Sequence, residues 1–115
     1  MSESPSIFTR IINGEIPGDF VYQDDQVVAI RDIHPQAPVH ILIIPRKPFA
    51  NVYELAQEDV PLVGHMLWVA KQIAQQQGIR NGFRIILNNG PDAGQEVHHI
   101  HMHLLAGEPL GGIRA

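Results

Sequence analysis

Val97-His98-His99-Ile100-His101-Met102-His103-Leu104-Leu105 decides both the architecture of this chain and where its chemistry should lie. Residues 97–105 alternate strongly enough to read as a β-strand, whose side chains leave on opposite faces. His99, His101 and His103 then share one face, while His98, Ile100, Met102 and Leu104 share the other. Just upstream, residues 82–87 read as a second strand, joined to the first by the turn-rich Asn88-Asn89-Gly90-Pro91-Asp92-Ala93-Gly94. Before these strands lies a long helix signal, with Leu62, Val63, Met66, Leu67, Ala70, Ile73 and Ala74 spaced by three and four. Asp59 suits its N-cap, Pro61 its first turn, and Gly78 a left-handed stop. Further upstream, residues 20–23, 27–31 and 39–44 read as strands. Asp24-Asp25-Gln26 turns between the first two, and two prolines keep His34-Pro35-Gln36-Ala37-Pro38 a loop. A short helix over residues 7–13 carries Ile7, Phe8, Ile11 and Ile12 and ends at Gly14. Strands, then a helix, then strands predict an α+β fold with an antiparallel sheet, not a parallel doubly wound one. One long helix leaves part of the sheet uncovered, so a second copy of the chain is expected against a face or edge.

The chain has 115 residues, a length that suits one domain over residues 1–115, with residues 1–5 a loose tail. Its 44% apolar and 17% charged residues, without low-complexity tracts, argue against disorder. Eight Lys+Arg against twelve Asp+Glu give a net charge of −4. That balance argues against a polymeric nucleic-acid partner. With no cysteine, disulfide scaffolds and thiolate zinc sites are excluded. The longest apolar run, Ile41-Leu42-Ile43-Ile44, is far too short for a membrane span. Met1-Ser2-Glu3-Ser4-Pro5 is acidic and polar, unlike a secretory signal, so a cytoplasmic protein is expected.

The unusual count is histidine: there are seven. Imidazoles on one strand face suit two chemistries. One is metal binding, with ligand distances near 2.0–2.1 Å. Alternate strand Cα atoms lie about 6.6 Å apart and the outer pair about 13 Å, so two histidines completed by His40 fit an ion better than all three. The other is nucleophilic catalysis at phosphorus, in which a covalent intermediate divides one hard displacement into two easier ones. Clustered imidazoles resist simultaneous protonation, which keeps a neutral nucleophile available near pH 7 while a neighbour donates a proton. The glycine turn 90–95 before the histidines can gather backbone N–H groups around phosphate oxygens. Asp32, just beyond a strand, is placed to accept from ribose hydroxyls.

The ungapped His99-Ile100-His101-Met102-His103-Leu104-Leu105 resembles the motif of the histidine triad (HIT) family, in its Hint-like branch of purine nucleoside phosphoramidases. The likeness extends through Gly94-Gln95-Glu96-Val97, Asp32-Ile33-His34-Pro35-Gln36-Ala37-Pro38, Glu15-Ile16-Pro17 and Ile7-Phe8. It implies a five-stranded antiparallel sheet with one long and one short helix, dimerised into ten strands. It also implies a purine nucleoside monophosphate or phosphoramidate ligand, and neither a cofactor nor a catalytic metal. By matched position, His101 is the expected nucleophile and His103 the group beside phosphate and leaving group, with His99 and His40 orienting them. Asn88, Gly94 and the backbone of Gln95, Glu96 and Val97 match phosphate-side contacts. Asp32 matches the ribose ligand, and Phe8, Ile11, Ile16, Ile30 and Ile33 the nucleobase pocket. Glu96 departs from the Ser of many relatives, and a carboxylate aimed at phosphate would repel it. His98 replaces a frequent aromatic, and its parity places it off the triad face. The alternatives are a dinucleoside polyphosphate hydrolase or nucleotidyl transferase, and a non-catalytic nucleotide- or metal-binding adaptor.

Overall fold

The order of elements in the computed structural model, which describes residues 5–112, is α1 (Ile7–Ile12), β1 (Phe20–Gln23), β2 (Val27–Arg31), β3 (Val39–Pro45), α2 (Val60–Gln76), β4 (Phe83–Ile86) and β5 (Met102–Ala106). Single 3-10 turns lie at Val52–Glu54, Gln57–Asp59 and Pro91–Ala93. Four residues of the expected tail over 1–5 lie outside the described residues. The strands pair throughout in antiparallel fashion in the order β1-β2-β3-β5-β4, giving the α+β sheet the sequence predicts. No described helix is long and apolar enough to cross a membrane.

Each turn follows from its residues. Asp24 Oδ1 accepts from the N–H groups of Gln26 and Val27, both at 2.8 Å, which closes the β1–β2 turn. α2 ends where Gly78 takes φ +71, with Ile79 N–H donating to Ala74 O and Gly78 N–H to Gln75 O. These two bonds satisfy carbonyls the helix would otherwise leave open. Asp59 does precede α2, but its side chain does not cap it. Its buried carboxylate instead accepts from Ala56 N–H at 2.9 Å and pairs with Lys47 Nζ at 2.8 Å.

Strand alternation divides the sheet into two unlike faces. On one, Ala29, Ile41, Ile43, Met102 and Leu104 pack against Met66, Val69, Ala70 and Ile73 of α2. The packing face of α2 corrects the expected stripe: Val69 is buried, whereas Leu67 is 49% exposed. At about 100° per residue, the face centred between Met66 and Ile73 passes nearer Val69 than Leu67. His65 anchors the helix to the β1–β2 turn by a 2.6 Å contact with Asp24 and stacks on Trp68. On the opposite face, Val28, Ile30, Leu42 and Ile44 pack against Phe8 and Ile11 of α1. His40 and His103 belong to that second face, since His103 pairs in register with Leu42.

The last strand is shorter than its alternation predicts. β5 starts at Met102, and residues 97–101 approach it without strand pairing. The physical reason is that side chains take the carbonyls a ladder would use. Gln95 Nε2 donates to Val97 O at 3.0 Å and His101 Nδ1 to His99 O at 2.7 Å. Ile100 N–H donates to Phe49 O at 2.7 Å, outside the sheet. β4 is likewise trimmed from residues 82–87 to Phe83–Ile86.

Candidate functional site

A cavity of about 390 Å³ opens on the sheet face opposite α2, within the size range of small-molecule sites. Its apolar wall comes from Phe8 and Ile11 of α1, Ile30 of β2 and Leu42 of β3. Asp32 and Ile33 follow β2 along one side, and the loop residues Asn88, Gly94, Gln95, Glu96 and Val97 line the other. His101 and His103 complete the lining, with ring centroids 5.0 Å apart.

The hydrogen bonds around the four histidines fix which ring nitrogen carries the proton. A carbonyl oxygen can only accept. His101 Nδ1 therefore donates to His99 O at 2.7 Å, which leaves its Nε2 as a bare lone pair. Gln36 N–H donates to His40 Nδ1 at 3.0 Å, so the proton of neutral His40 sits on Nε2. That Nε2 donates to His103 Nδ1 at 2.9 Å, with Asp32 Oδ2 also 3.4 Å away. His103 must then carry its own proton on Nε2. One lone pair and one N–H donor thus stand on neighbouring rings of one cavity.

Burial holds the rings neutral. It lowers the pKa of His40, His99 and His101 below the ordinary 6.5, against opposing help from Asp32 at His40 and from backbone carbonyls at the other two. His103 falls furthest, to about 4, first through burial and then through the neighbouring His101 and His40. A neutral His101 can act as a nucleophile at pH 7, and a neutral His103 can donate its Nε2 proton.

Gln95 holds the loop beside these rings. Its buried side chain donates to Ala50 O at 2.6 Å and Val97 O at 3.0 Å, and accepts from Gly90 N–H at 2.9 Å and Asn51 Nδ2 at 3.1 Å. All its polar capacity is therefore spent inside the protein. Gln95 N–H is also taken, by Gly90 O at 3.2 Å. Among the described residues, the N–H groups of Glu96 and Val97 have no protein acceptor, and both residues line the cavity. Gly94 reaches this geometry at φ +77, left-handed backbone that a side chain would strain. Asn88 Nδ2 donates to Ala93 O at 2.9 Å, which fastens the other end of the loop.

The residues singled out from the sequence fall into three groups. Phe8, Ile11, Ile30, Asp32, Ile33, Asn88, Gly94, Gln95, Glu96, Val97, His101 and His103 line the cavity, although Ile33 is 86% exposed and so belongs to its rim. His99 and His40 lie behind it: His99 is fully buried and His40 backs His103. Ile16 is not brought to the cavity; it packs on the edge of the α1 cluster. His98 is exposed, unlike Ile100, Met102 and Leu104, with which its parity groups it, because residues 97–101 do not continue the strand. Sequence reasoning missed Ile7, Arg31 and Leu42. Two had a signal: Leu42 is two residues beyond His40 on one strand, and Ile7 one helical turn before Ile11. Asp32, His40 and His103 each offer one ligand atom, all within 4.8 Å of one another, and are the group among the described residues that could hold a metal ion. An ion there would replace the proton between His40 and His103.

Comparison with known proteins agrees with this geometry. Residues 13–110 match the HIT domain model. The chain is 53% identical over 111 residues to the purine nucleoside phosphoramidase of Escherichia coli strain K12, covering 96% of this chain and 93% of that one. It is 45% identical over 111 residues to the Arabidopsis thaliana protein named adenylylsulfatase HINT1, covering 95% and 76%. The crystal structure of a HIT family hydrolase from Legionella pneumophila superposes with a TM-score of 0.93 at 40% identity, covering 96% of this chain and all of that one. With its family's fold and a near full-length likeness to a hydrolase of that family, the chain belongs to the HIT family, in its Hint-like branch.

Proposed function

We propose that this protein hydrolyses the P–N bond of purine nucleoside 5′-phosphoramidates, such as adenosine phosphoramidate or aminoacyl-adenylate-like compounds, in two steps. The observation that carries the reading is the pairing of tautomers: a lone pair on His101 Nε2 beside a proton on His103 Nε2. In the first step His101 Nε2 attacks the α-phosphorus, the P–N bond breaks, and the amine leaves with the proton from His103. In the second, water attacks the nucleotidyl-histidine and returns a proton to His103, and the nucleoside monophosphate departs with His101 restored. The chemistry balances with water alone. The N–H groups of Glu96 and Val97 would face the phosphate oxygens, Asp32 the ribose, and Phe8, Ile11, Ile30 and Leu42 the purine.

Glu96 favours this reading over a dinucleoside polyphosphate hydrolase. Glu96 lines the cavity, and a carboxylate turned toward the leaving group would repel a polyphosphate more than an amine. The test is release of AMP from adenosine phosphoramidate by wild type and His101→Ala, alongside diadenosine polyphosphate and adenylyl sulfate. A loss on the order of 10³-fold or more is expected for His101→Ala, with phosphoramidate the preferred substrate. Comparable rates for the two proteins would remove the nucleophile. Activity unchanged by EDTA is expected; loss with rescue by zinc would favour the metal group at Asp32, His40 and His103.

The same reading includes a cytoplasmic homodimer. β4 is an open sheet edge carrying Phe83, 40% exposed, and α2 presents Leu67, 49% exposed. Pairing β4 with its counterpart would extend five strands to ten and cover such apolar surface. Light scattering should give twice the 12.8 kDa of one chain. A single-chain mass across micromolar concentrations would contradict the dimer.

A further inference from the structure

We propose that the hydroxyl of Ser6, seconded by Thr9, is a positioning group that fixes the tautomer of His99 and through it aims His101 into the cavity. The inference rests on the reading of His101 as nucleophile for its effect on rate, but not for its effect on His99.

His99 Nε2 lies 2.8 Å from Pro45 O, an acceptor only, so Nε2 carries the proton and Nδ1 is a lone pair. That lone pair is met by Ser6 Oγ at 2.7 Å, and Thr9 Oγ1 stands 3.3 Å from the same nitrogen. Ser6 Oγ accepts from Thr9 N–H at 3.0 Å, and its one hydrogen has two acceptors in reach, His99 Nδ1 at 2.7 Å and Thr9 Oγ1 at 3.2 Å, of which the imidazole is the nearer. The ring is thus held at both ends, by α1 on one side and by the end of β3 on the other.

This clamp matters because residues 97–101 have no strand ladder to hold them. The carbonyl of His99 is the acceptor that fixes His101 Nδ1–H, and the orientation of that carbonyl follows the seating of its own side chain. Losing the donor at Nδ1 would leave the His99 ring anchored by Pro45 O alone, so that one bond would hold its tautomer and orientation where two hold them now. The peptide between residues 99 and 100 would loosen with it, and His101 would lose the bond that keeps its Nε2 bare. Phe8 of the same short helix packs edge-on against both rings, 6.0 Å from His99 and 4.9 Å from His101 by centroid, so α1 is already part of the wall that seats them.

Ser6 also caps α1, so the experiment must separate donation from capping. The double variant Ser6→Ala/Thr9→Val removes both hydroxyls. Ser6→Asp keeps an oxygen to cap Thr9 N–H, but its carboxylate cannot donate to Nδ1. Ser6→Thr keeps both functions. Nitrogen-15 spectra of the histidine rings, taken without substrate, report each tautomer, and steady-state kinetics with adenosine phosphoramidate report the consequence. Wild type and Ser6→Thr should show His99 protonated at Nε2 and His101 at Nδ1. The double variant and Ser6→Asp should lose both signatures and about tenfold in kcat, with KM within about twofold. Wild-type ring signatures in both altered proteins would overturn the proposal, as would wild-type kcat in Ser6→Asp. A wild-type chain inactive on phosphoramidates, whose His99 still shifts in the double variant, would overturn the functional reading and support the positioning role.

Discussion

The two faces of the sheet are built by the same strands and do opposite things. On the α2 face, β3 and β5 contribute Ile41, Ile43, Met102 and Leu104, all buried and apolar, against a helix that offers only more of the same. On the α1 face, the intervening residues are His40, Leu42, Ile44, His103 and Leu105, against a helix of six residues that leaves His103 only part-buried. The first face gains stability by excluding water completely. The second leaves a cavity, and its polar groups hold position through directed hydrogen bonds instead. One period-two alternation therefore yields a core and a reactive surface a side chain's width apart.

Substitutions on each face should separate these roles. His101→Ala, with the largest expected effect, should remove phosphoramidate turnover by about 10³-fold or more and leave the unfolding midpoint close to wild type. Leu104→Ala, three residues along the chain and on the other face, should cost about 2–5 kcal/mol in denaturant unfolding while the folded fraction keeps its kcat. A catalytic loss for Leu104→Ala as large as that for His101→Ala would erase the division. A third contrast uses pH. His103 titrates near 4 folded against 6.5 as an ordinary imidazole, so below 6.5 the unfolded chain binds the extra proton. Stability from its neutral form is present above about pH 6.5 and is lost as pH falls toward 4. Thermal melts should decline through that window, and His103→Gln should flatten part of the decline. A slope unchanged in that variant would place the titration elsewhere. The smallest effect is expected at the rim: Leu67→Asp should weaken self-association in light scattering with little change in the monomer's fold.

Much of the fold was legible because periodicity reports local geometry directly. The α1 and α2 stops at Gly14 and Gly78, the Asp24 turn and the strands at residues 20–23 and 27–31 all follow from residue type and spacing. The failures lie mostly where side-chain partners, some two residues away and some distant in sequence, take backbone groups that spacing alone would assign to pairing. Residues 97–101 alternate like a strand, but Gln95 and Phe49 engage backbone groups that pairing would need. His99 lies buried behind the cavity and His101 lines it, a difference that a stride of two cannot express. Ile16 and Leu42 are alike in composition terms; Leu42 shares a strand face with His40, and the register of β3 against β5 then sets it beside His103. Ser6 drew no reading from the sequence, because its contact with His99 joins residues 93 positions apart.

The central claim is that His101 carries the nucleotidyl group. It is tested most directly by quenching a single turnover of adenosine phosphoramidate and mapping the modified peptide by mass spectrometry. An adenylyl adduct on His101 that forms and decays at a rate matching AMP release, and that is absent in His101→Ala, is the predicted result. AMP release at the wild-type rate with the adduct on another residue, or from His101→Ala, would contradict the account.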